Sequence, residues 1–334
     1  MDKRVGEILS AMRGKRIVVL GDMIADVYLM GKIARISREA PVLVLEHAGE
    51  RIVAGGASNV VHNVATLGGR AIAAGVLGAD AAADGLKAIF AEKGVETEGL
   101  LTDEARSTIS KTRVIAGGRE TVSQQIVRVD REDRSPLSEK IAARLREFVL
   151  RAAESADGVV ISDYGGAAVT EALAREVLTH CRRLGVPTMV DSRYAIRRFL
   201  GVDYVKQNDA ELAAAMKREL SSEVAIREAG EALRTELDAK GVLVTRGAKG
   251  MTLLMAEGVT DIPVTDKSEV FDVSGAGDTC VAAFMLAVAA GATPRDAACL
   301  ANVAAGIAVR KLGTATVSAE ELRAAAERQL GSMS

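Results

Sequence analysis

The residues best suited to chemistry lie in segment 272–278, which reads DVSGAGD. Its central Gly-Ala-Gly residues are small, so their backbone N–H groups can approach an anion closely. The apolar run 280–290 predicts a helix, and the N-terminus of that helix adds partial positive charge at the same place. The simplest interpretation makes Asp278 a helix cap. Capping alone does not require three small residues before it, so the segment favours a site where amides hold developing negative charge while a carboxylate accepts a proton.

A second glycine-containing segment, 54–59 (AGGASN), precedes a predicted helix. Two glycines let the chain pass close to a ligand, although a tight loop has the same composition. Three common motifs are absent from the sequence: GxxxxGK[ST], GxGxxG after the first strand, and GxSxG. The sequence therefore disfavours a Walker-type NTPase, a Rossmann dinucleotide site and a nucleophile elbow.

Short β-branched runs alternate with amphipathic segments along most of the chain. This alternation predicts an α/β fold with a doubly wound, mostly parallel sheet and helices on both faces. Five of the predicted strands end in polar or charged residues, at 21–22, 162–164, 191–193, 206–208 and 245–247. Because ligands of open α/β sheets bind outside the carboxyl ends of the strands, we expect one polar site along that edge.

Two segments, about 27–47 and 108–129, have the period-2 pattern of extended chain and lack helices. We predict that they form a small antiparallel β lid over the polar edge, which would close the site, mediate a homodimer, or do both. A pair of ordinary edge strands fits the same pattern. Lys111 and Arg113 alternate on one predicted strand and so share a face, which suits a phosphate already on the substrate. A solvated strand face is the alternative interpretation.

The composition excludes several classes of protein. Of 334 residues, 49% are hydrophobic and 26% charged, as in ordinary globular proteins. A net charge of −2 and 3% aromatic residues argue against a nucleic-acid partner. The longest apolar stretch, 280–290, is about half of a membrane span, and no secretory signal is visible. We therefore expect no membrane partner, a cytoplasmic location, and a single domain over residues 1–334.

The two glycine segments together give a resemblance to a known family. Gly-Gly-x-x-Asn at 55–59 and Asp-x-x-Gly-Ala-Gly-Asp at 272–278 occur in the order found in the ribokinase/PfkB family of carbohydrate kinases. The chain resembles this family from Lys15 to about Val317. The resemblance implies a ribokinase-like fold and transfer of a phosphoryl group from ATP to a sugar hydroxyl with Mg²⁺, which needs positioning and charge neutralisation more than covalent chemistry.

The resemblance also implies roles for individual residues. Asp278 would be the catalytic base, beside an anion hole formed by Gly275, Ala276 and Gly277. The ATP-binding positions would be Asn208, Asp209, Ala210, Glu211, Thr245, Arg246, Gly247, Gly250 and Asn302. Glu211 and Asn208 would place Mg²⁺ through water. The sugar-binding positions would be Asp26, Gly55, Gly56, Asn59, Lys111, Arg113 and Asp163. In some relatives the loop at Asp272 binds a monovalent cation such as K⁺.

Within the family, segment 35–42 (RISREAPV) resembles the lid of kinases that phosphorylate O1 of D-glycero-D-manno-heptose 7-phosphate, a step towards lipopolysaccharide core precursors. This chain has Gly165-Gly166 where those kinases usually have a lysine, and Lys206-Gln207 where they have Thr-Pro. Two alternatives therefore stay open: a kinase for another sugar or sugar phosphate, and a non-catalytic sugar or nucleotide sensor. The presence of Asp278 favours the enzyme, because a pure binding protein needs no base.

Overall fold

The computed structural model describes residues 3–117, 124–264 and 270–330. Its strands are β1 (Arg16–Gly21), β2 (Met23–Ile36), β3 (Leu43–Gly56), β4 (Arg70–Leu77), β5 (Glu96–Thr102), β6 (Ile109–Gly117), β7 (Gln124–Arg131), β8 (Gly158–Asp163), β9 (Thr188–Ser192), β10 (Tyr204–Asn208), β11 (Gly241–Thr245), β12 (Met251–Met255) and β13 (Gly258–Ile262). Its helices are α1 (Lys3–Ala11), α2 (Ala57–Thr66), α3 (Ala81–Glu92), α4 (Glu139–Ala153), α5 (Glu171–Leu184), α6 (Asp209–Met216), α7 (Glu223–Glu236), α8 (Ala276–Ala289), α9 (Pro294–Ala308) and α10 (Ala319–Leu330).

Nine strands form the main sheet, in the order β13-β12-β11-β10-β9-β8-β1-β4-β5. The pairs from β11 to β5 are parallel, and β12 and β13 continue one edge antiparallel. This confirms the predicted doubly wound, mostly parallel sheet. The five strands with polar ends, β11, β10, β9, β8 and β1, are consecutive neighbours in it. Their ends consequently meet along one edge.

Two hydrophobic layers hold the helices against the sheet. One layer includes apolar residues of α1, α2, α3, α8, α9 and α10, and the other those of α4, α5, α6 and α7. The central strands are buried along nearly their whole length, which explains their continuous apolar sequence. None of the helices in the described ranges has both the length and the apolar character needed to cross a membrane.

A second sheet of four strands, in the order β3-β2-β6-β7, corresponds to the predicted lid. The pairs β2–β3 and β6–β7 are antiparallel, and the two hairpins join through a parallel pair, β2–β6. Residues 118–123 of the predicted lid lie outside the described residues. The first five residues of β2 are buried and the later ones are mostly exposed, so this strand runs from the protein core out into the lid.

Candidate active site

Asp278 lies in the first turn of α8, at the polar edge of the main sheet. Gly275 precedes the helix in the left-handed conformation (φ 78°), which glycine adopts without strain. A Cβ at this position would lie 2.6 Å from Nδ2 of Asn59. No side chain of the described residues caps this end of α8. The first turn of the helix therefore has no side-chain cap, although the N–H of Ala276 donates to the carbonyl of Val273 at 3.4 Å. A helix N-terminus of this kind favours a bound anion.

Two donors hold the carboxylate of Asp278. The hydroxyl of Tyr164 donates to Oδ1 at 3.0 Å, and Nδ2 of Asn59 donates to Oδ2 at 2.9 Å. Asn63 donates to Oδ1 of Asn59 at 3.0 Å, and the hydroxyl of Thr279 donates to Oδ1 of Asn63 at 3.1 Å. This chain of hydrogen bonds fixes the amide of Asn59 with its NH₂ group towards the carboxylate.

Burial raises the pKa of Asp278 to about 7. The hydrogen bond from Asn59 opposes this rise, the negative charge of Asp191 adds to it, and the charge of Lys206 and the hydrogen bond from Tyr164 oppose it. Burial and the nearby charge of Asp278 raise the pKa of Tyr164 well above its usual value, so the phenol stays protonated and acts as a donor. The carboxylate is thus poised to exchange a proton near neutral pH.

A buried ion pair lies beside the N-terminus of α8. Nζ of Lys206, near the end of β10, is 3.0 Å from Oδ2 of Asp191 and 3.8 Å from Oε2 of Glu211. Burial alone would lower the pKa of Lys206, but the charges of Asp191 and Glu211 raise it above its usual value, so the ammonium stays charged. A Cβ at Gly277 would lie 2.9 Å from this Nζ. The cation therefore adds to the positive field at the helix end.

These residues surround a cleft of about 390 Å³, which we call the Asp278 cleft. It is lined by Asp163, Tyr164, Asp191, Arg193, Lys206, Glu211, Gly275, Gly277 and Asp278. They come from the ends of β8, β9 and β10 and from the first turns of α6 and α8. This is the sheet edge at which the sequence predicts a polar site.

A neighbouring cavity of about 310 Å³ lies under the lid, and we call it the lid cavity. It is lined by Ile24, Ile109, Lys111, Glu132, Arg134, Tyr164, Gly165, Gly166, Arg193 and Tyr194. Arg134 pairs with Glu132, but within the described parts of the chain no carboxylate lies within 4.0 Å of the cationic groups of Lys111 or Arg193. Two cations that have no ion-pair partner among the described residues therefore face this cavity.

The predicted sugar-binding residue Arg113 contacts Asp26, another residue of the same predicted set. Nη1 of Arg113 donates to Oδ1 of Asp26 at 2.6 Å, and the hydroxyl of Thr314 donates to Oδ2 at 2.7 Å. A Cβ at Gly55 would lie 2.7 Å from the same Oδ2, so glycine permits this close approach. The guanidinium of Arg113 thus pairs with Asp26, and Lys111 alone of the two residues lines the lid cavity.

Asp163 and Gly56 fix the local structure around the site. Oδ2 of Asp163 accepts hydrogen bonds from the hydroxyl of Ser192 at 2.6 Å and from Nη2 of Arg198 at 2.9 Å, and its Oδ1 accepts from the N–H of Gly165 at 3.1 Å. Both oxygens of Asp163 are therefore engaged by the protein. Gly56 has φ 52° and directly precedes α2, the helix that carries Asn59 towards Asp278.

The residues predicted to bind ATP lie at the ends of β10 and β11. Asn208 and Thr245 are register partners in these strands. Oδ1 of Asn208 accepts from the N–H of Glu211 at 2.7 Å, and Oε2 of Glu211 accepts from the N–H of Asn208 at 2.8 Å, which forms a capping box on α6. Asp209 and Ala210 form the first turn of this helix.

The remaining ATP-site predictions lie farther along the chain. The guanidinium of Arg246 is 3.4 Å from Glu223 and 3.4 Å from Asp261, with a side chain that is 6% exposed. Gly247 and Gly250 both have positive φ and close a short turn after β11. Nδ2 of Asn302 donates to the carbonyl of Pro263 at 2.8 Å. Asn302 and Arg246 are not among the residues that line the Asp278 cleft.

The oxygen ligands for cations are few. Among the described residues, no group of three or more His, Cys, Asp and Glu side chains could hold a metal ion. Glu211 lines the Asp278 cleft and uses Oε2 in the capping box, which leaves Oε1 as an oxygen that could accept from the water shell of a Mg²⁺ ion. Both oxygens of Asp272 accept backbone N–H groups, from Ser274 at 2.8 Å and Gly313 at 3.0 Å.

Several cleft or cavity residues carry no role in the sequence prediction, among them Tyr164, Asp191, Arg193 and Lys206. These four residues belong to the polar segments that follow predicted strands, and that position is the sequence feature that could have indicated them. Their contacts with one another depend on which strands are neighbours, which the sequence pattern does not state.

A doubly wound sheet, a β lid and a buried carboxylate at an uncapped helix N-terminus define the class of small-molecule kinases with a ribokinase-like fold. Arabidopsis thaliana ribokinase, whose structure was solved with ribose and ATP, superposes with a TM-score of 0.72 at 19% identity, covering 94% of this chain and 98% of that one. This similarity shows the fold.

The sequence comparison is more specific. The chain belongs to the pfkB family of carbohydrate kinases, whose family model matches residues 15–322. The bifunctional protein HldE of Hyphomonas neptunium is 40% identical over 329 residues, covering 97% of this chain and 66% of that protein. The bifunctional protein HldE of Caulobacter vibrioides is 42% identical over 335 residues, covering 99% of this chain and 67% of that protein. The chain thus spans about two thirds of the length of these curated relatives, and the resemblance to this kinase family is confirmed.

Proposed function

We propose that this carbohydrate kinase transfers the γ-phosphoryl group of ATP to O1 of D-glycero-D-manno-heptose 7-phosphate. The observation that carries the proposal is the carboxylate of Asp278, held at 2.9 and 3.0 Å by two donors at the uncapped N-terminus of α8. A carboxylate in this position can take the proton of an alcohol beside the amides that receive a phosphoryl group.

The reaction proceeds by in-line displacement. Asp278 accepts the proton of the acceptor hydroxyl, and the oxygen forms a bond to the γ-phosphorus while the bond to the β,γ-bridging oxygen breaks. ADP leaves with the electron pair of that bond. The N–H groups of Gly275, Ala276 and Gly277 and the ammonium of Lys206 stabilise the charge spread over the transferred group. The lid excludes water, so the phosphoryl group reaches the sugar rather than being hydrolysed.

The nucleotide binds along the ends of β10 and β11. Asn208, Thr245 and the turn that contains Gly247 and Gly250 bound this part of the sheet edge. Glu211 would hold Mg²⁺ through water, and that ion, when bound, neutralises charge on the β- and γ-phosphates. K⁺ would bind beside Asp272. The carboxylate of this residue accepts a hydrogen bond from the N–H of Gly313 and so links the loop before α8 to the loop at Gly313.

The lid cavity supports an acceptor that already carries a phosphate. Lys111 and Arg193 are cations without an ion-pair partner in the described residues, and they face a space next to the base. The related kinases usually have a lysine where this chain has Gly165-Gly166. A Cβ at Gly166 would collide with Cδ1 of Ile109 and would lie 2.8 Å from Oδ1 of Asp22. Arg193 therefore offers the replacement cation in this chain. The resemblance of segment 35–42 to the lid of heptose 7-phosphate kinases supports the same acceptor.

The lid also suggests how the protein assembles. Its strands and connecting turn expose several large apolar residues: Met30, Ile33, Ile36, Val42, Leu43, Ile126, Val127 and Val129. Exposed apolar surface of this kind is typical of protein–protein contacts. We therefore propose a homodimer formed through the lid, and a cytoplasmic location where ATP is available.

A panel of acceptors tests the function. ADP release is measured with ATP and Mg²⁺ on the heptose 7-phosphate, the same heptose without phosphate, fructose 6-phosphate, fructose and ribose. We expect the highest kcat/KM with the heptose 7-phosphate and phosphate at O1 in the product, identified by ³¹P NMR. A preference for unphosphorylated ribose or fructose would contradict the heptose proposal, and absence of turnover with every acceptor would contradict the kinase proposal.

A further inference from the structure

Tyr164 forms the wall between the two cavities of the site. It follows directly on β8 and lines both the Asp278 cleft and the lid cavity. Its hydroxyl reaches Oδ1 of Asp278 on one side, and Nζ of Lys111 lies 5.6 Å from the centre of its ring. A single side chain therefore contacts the proposed base and also borders the space assigned to the acceptor.

The backbone at Tyr164 is anchored independently of its hydroxyl. The buried carboxylate of Asp22 accepts the N–H of Tyr164 at 2.8 Å, that of Gly166 at 2.9 Å and that of Ala168 at 3.2 Å. Three hydrogen bonds to one carboxylate give this loop a defined path. The position of the phenol ring is consequently set by the loop, and the loop would keep its path if the hydroxyl were removed.

We propose that Tyr164 is a positioning residue for the base: its hydroxyl holds Oδ1 of Asp278 and, with Asn59 on Oδ2, orients the ionised carboxylate towards the acceptor hydroxyl. The proposal rests on the proposed function in that Asp278 is taken as the base. A carboxylate oxygen has two lone pairs, so each oxygen can accept one hydrogen bond from the protein and still receive the proton of the alcohol. Tyr164 itself gives up no proton in this scheme.

The surroundings explain why the base needs this donor. The charged groups around Asp278 are Asp163 after β8, Asp191 and Arg193 from β9 and its end, Lys206 from β10 and Glu211 from α6. Asp191 and the burial of the site favour the neutral acid, whereas Lys206, Asn59 and Tyr164 favour the carboxylate. Removing the hydroxyl would leave Asp278 protonated up to a higher pH and would let its side chain rotate.

The test compares Tyr164→Phe with a matched control, Tyr204→Phe. Tyr204 packs against Phe284 with ring centres 5.1 Å apart and does not line either cavity. The titration of Asp278 is followed by ¹³C NMR of labelled aspartate, with its signal assigned by its loss in Asp278→Asn. We expect Tyr164→Phe to raise the titration midpoint by about one pH unit, the scale of one hydrogen bond to a charged group. Tyr204→Phe should leave it unchanged.

Kinetics give a second readout. We expect kcat of Tyr164→Phe to fall most at low pH and to recover in part as pH rises, with KM for ATP unchanged. An unchanged titration midpoint, or an equal loss of kcat at every pH, overturns the positioning role. The titration needs no acceptor, so a raised midpoint in a protein that phosphorylates no sugar would overturn the proposed function and support the hydrogen bond.

A separate measurement applies if Tyr164→Phe does not fold. Incorporation of 3-fluorotyrosine at all tyrosines makes the phenol a stronger donor without removing it. We then expect the titration midpoint of Asp278 to move to lower pH than in the unmodified protein. A midpoint that stays in place or rises overturns the proposal.

Discussion

The carboxyl group of Asp278 has a pKa close to neutral pH. Burial raises that pKa to about 7, and a base acts only in its ionised form. We therefore expect log kcat/KM to increase with pH up to about pH 7 and to level off above it. Replacing the carboxylate by Asp278→Asn should lower kcat by about 10²–10⁴-fold at pH 8, because an amide cannot take the proton.

These rates are measured as ADP release between pH 5 and 9, together with ATP binding by calorimetry. Asp238→Asn is the matched control, because Asp238 pairs with Arg182 at the surface, where both side chains are more than half exposed. A rate that does not change between pH 5 and 9, or an Asp278→Asn variant with full turnover, would show that Asp278 is not the base. If Asp278→Asn still binds ATP, the lower kcat reflects the phosphoryl-transfer step and not nucleotide binding.

Individual site residues differ in how far their sequence context predicts them. Asp278 and its glycines stand in one short segment, so their chemistry can be inferred locally. The shared strand parity of Lys111 and Arg113 is visible in the sequence, but the ion-pair partner of Arg113, Asp26, is 87 positions away in the chain. Tyr164 and Asp278 are 114 positions apart. Contacts of this kind depend on the tertiary fold, and no local pattern carries them.

At the scale of elements, the N-terminus of α8 leaves little room for a side chain. A Cβ at Gly277 would lie 2.9 Å from Nζ of the buried Lys206, which is closer than real Cβ contacts. In Gly277→Ala either the ammonium or the first turn of α8 must move. We expect kcat to fall by about 10²-fold, the scale on which losing one oxyanion donor acts.

Gly306→Ala is the matched control for this prediction. Gly306 lies within α9, and a Cβ there would meet nothing within 4 Å. Alanine is also the better helix former, so the control should fold at least as stably as the parent. Both variants are compared by kcat for ADP release and by thermal unfolding. Equal kcat for Gly277→Ala and the parent would mean that the helix end does not hold the transferred group.

The ends of elements show where sequence patterns fail. The amphipathic pattern predicts a helix over 209–220, but α6 ends at Met216 because Lys217 adopts the left-handed conformation with φ 52°. The core strands were predictable because burial on both faces requires continuous apolar runs. The edge strands β12 and β13 continue the sheet antiparallel without an intervening α-helix, so the β-α alternation that predicts the others does not predict them.

At the scale of the whole molecule, strand order turns scattered residues into a site. Polar residues after β1, β8, β9, β10 and β11 come from segments spread over most of the sequence, yet these strands are neighbours. The alternating pattern predicted that the strands are parallel and so share a carboxyl edge. The pattern does not predict the order of the strands. That order places β10 beside β9 and so brings Nζ of Lys206 to Oδ2 of Asp191. Helices α2 and α8 pack on one face of the ordered sheet and α4 to α7 on the other.

The lid provides a test at the same scale. Ile36 and Val129 are 67% and 58% exposed on it, so apolar surface would be left in water if the protein were a monomer. Burying such side chains against a second copy is favourable by roughly 1.5–3 kcal/mol each, whereas burying a lysine ammonium there is costly. We therefore expect the parent to be a dimer by light scattering and Ile36→Lys/Val129→Lys to be a folded monomer, with the circular dichroism spectrum of the parent and a lower unfolding temperature, because the dimer stabilises the native state. Val224→Lys on α7, 62% exposed, is the control that should stay dimeric. A parent that is monomeric, or a lid variant that remains a dimer, would mean that the lid serves closure of the site alone.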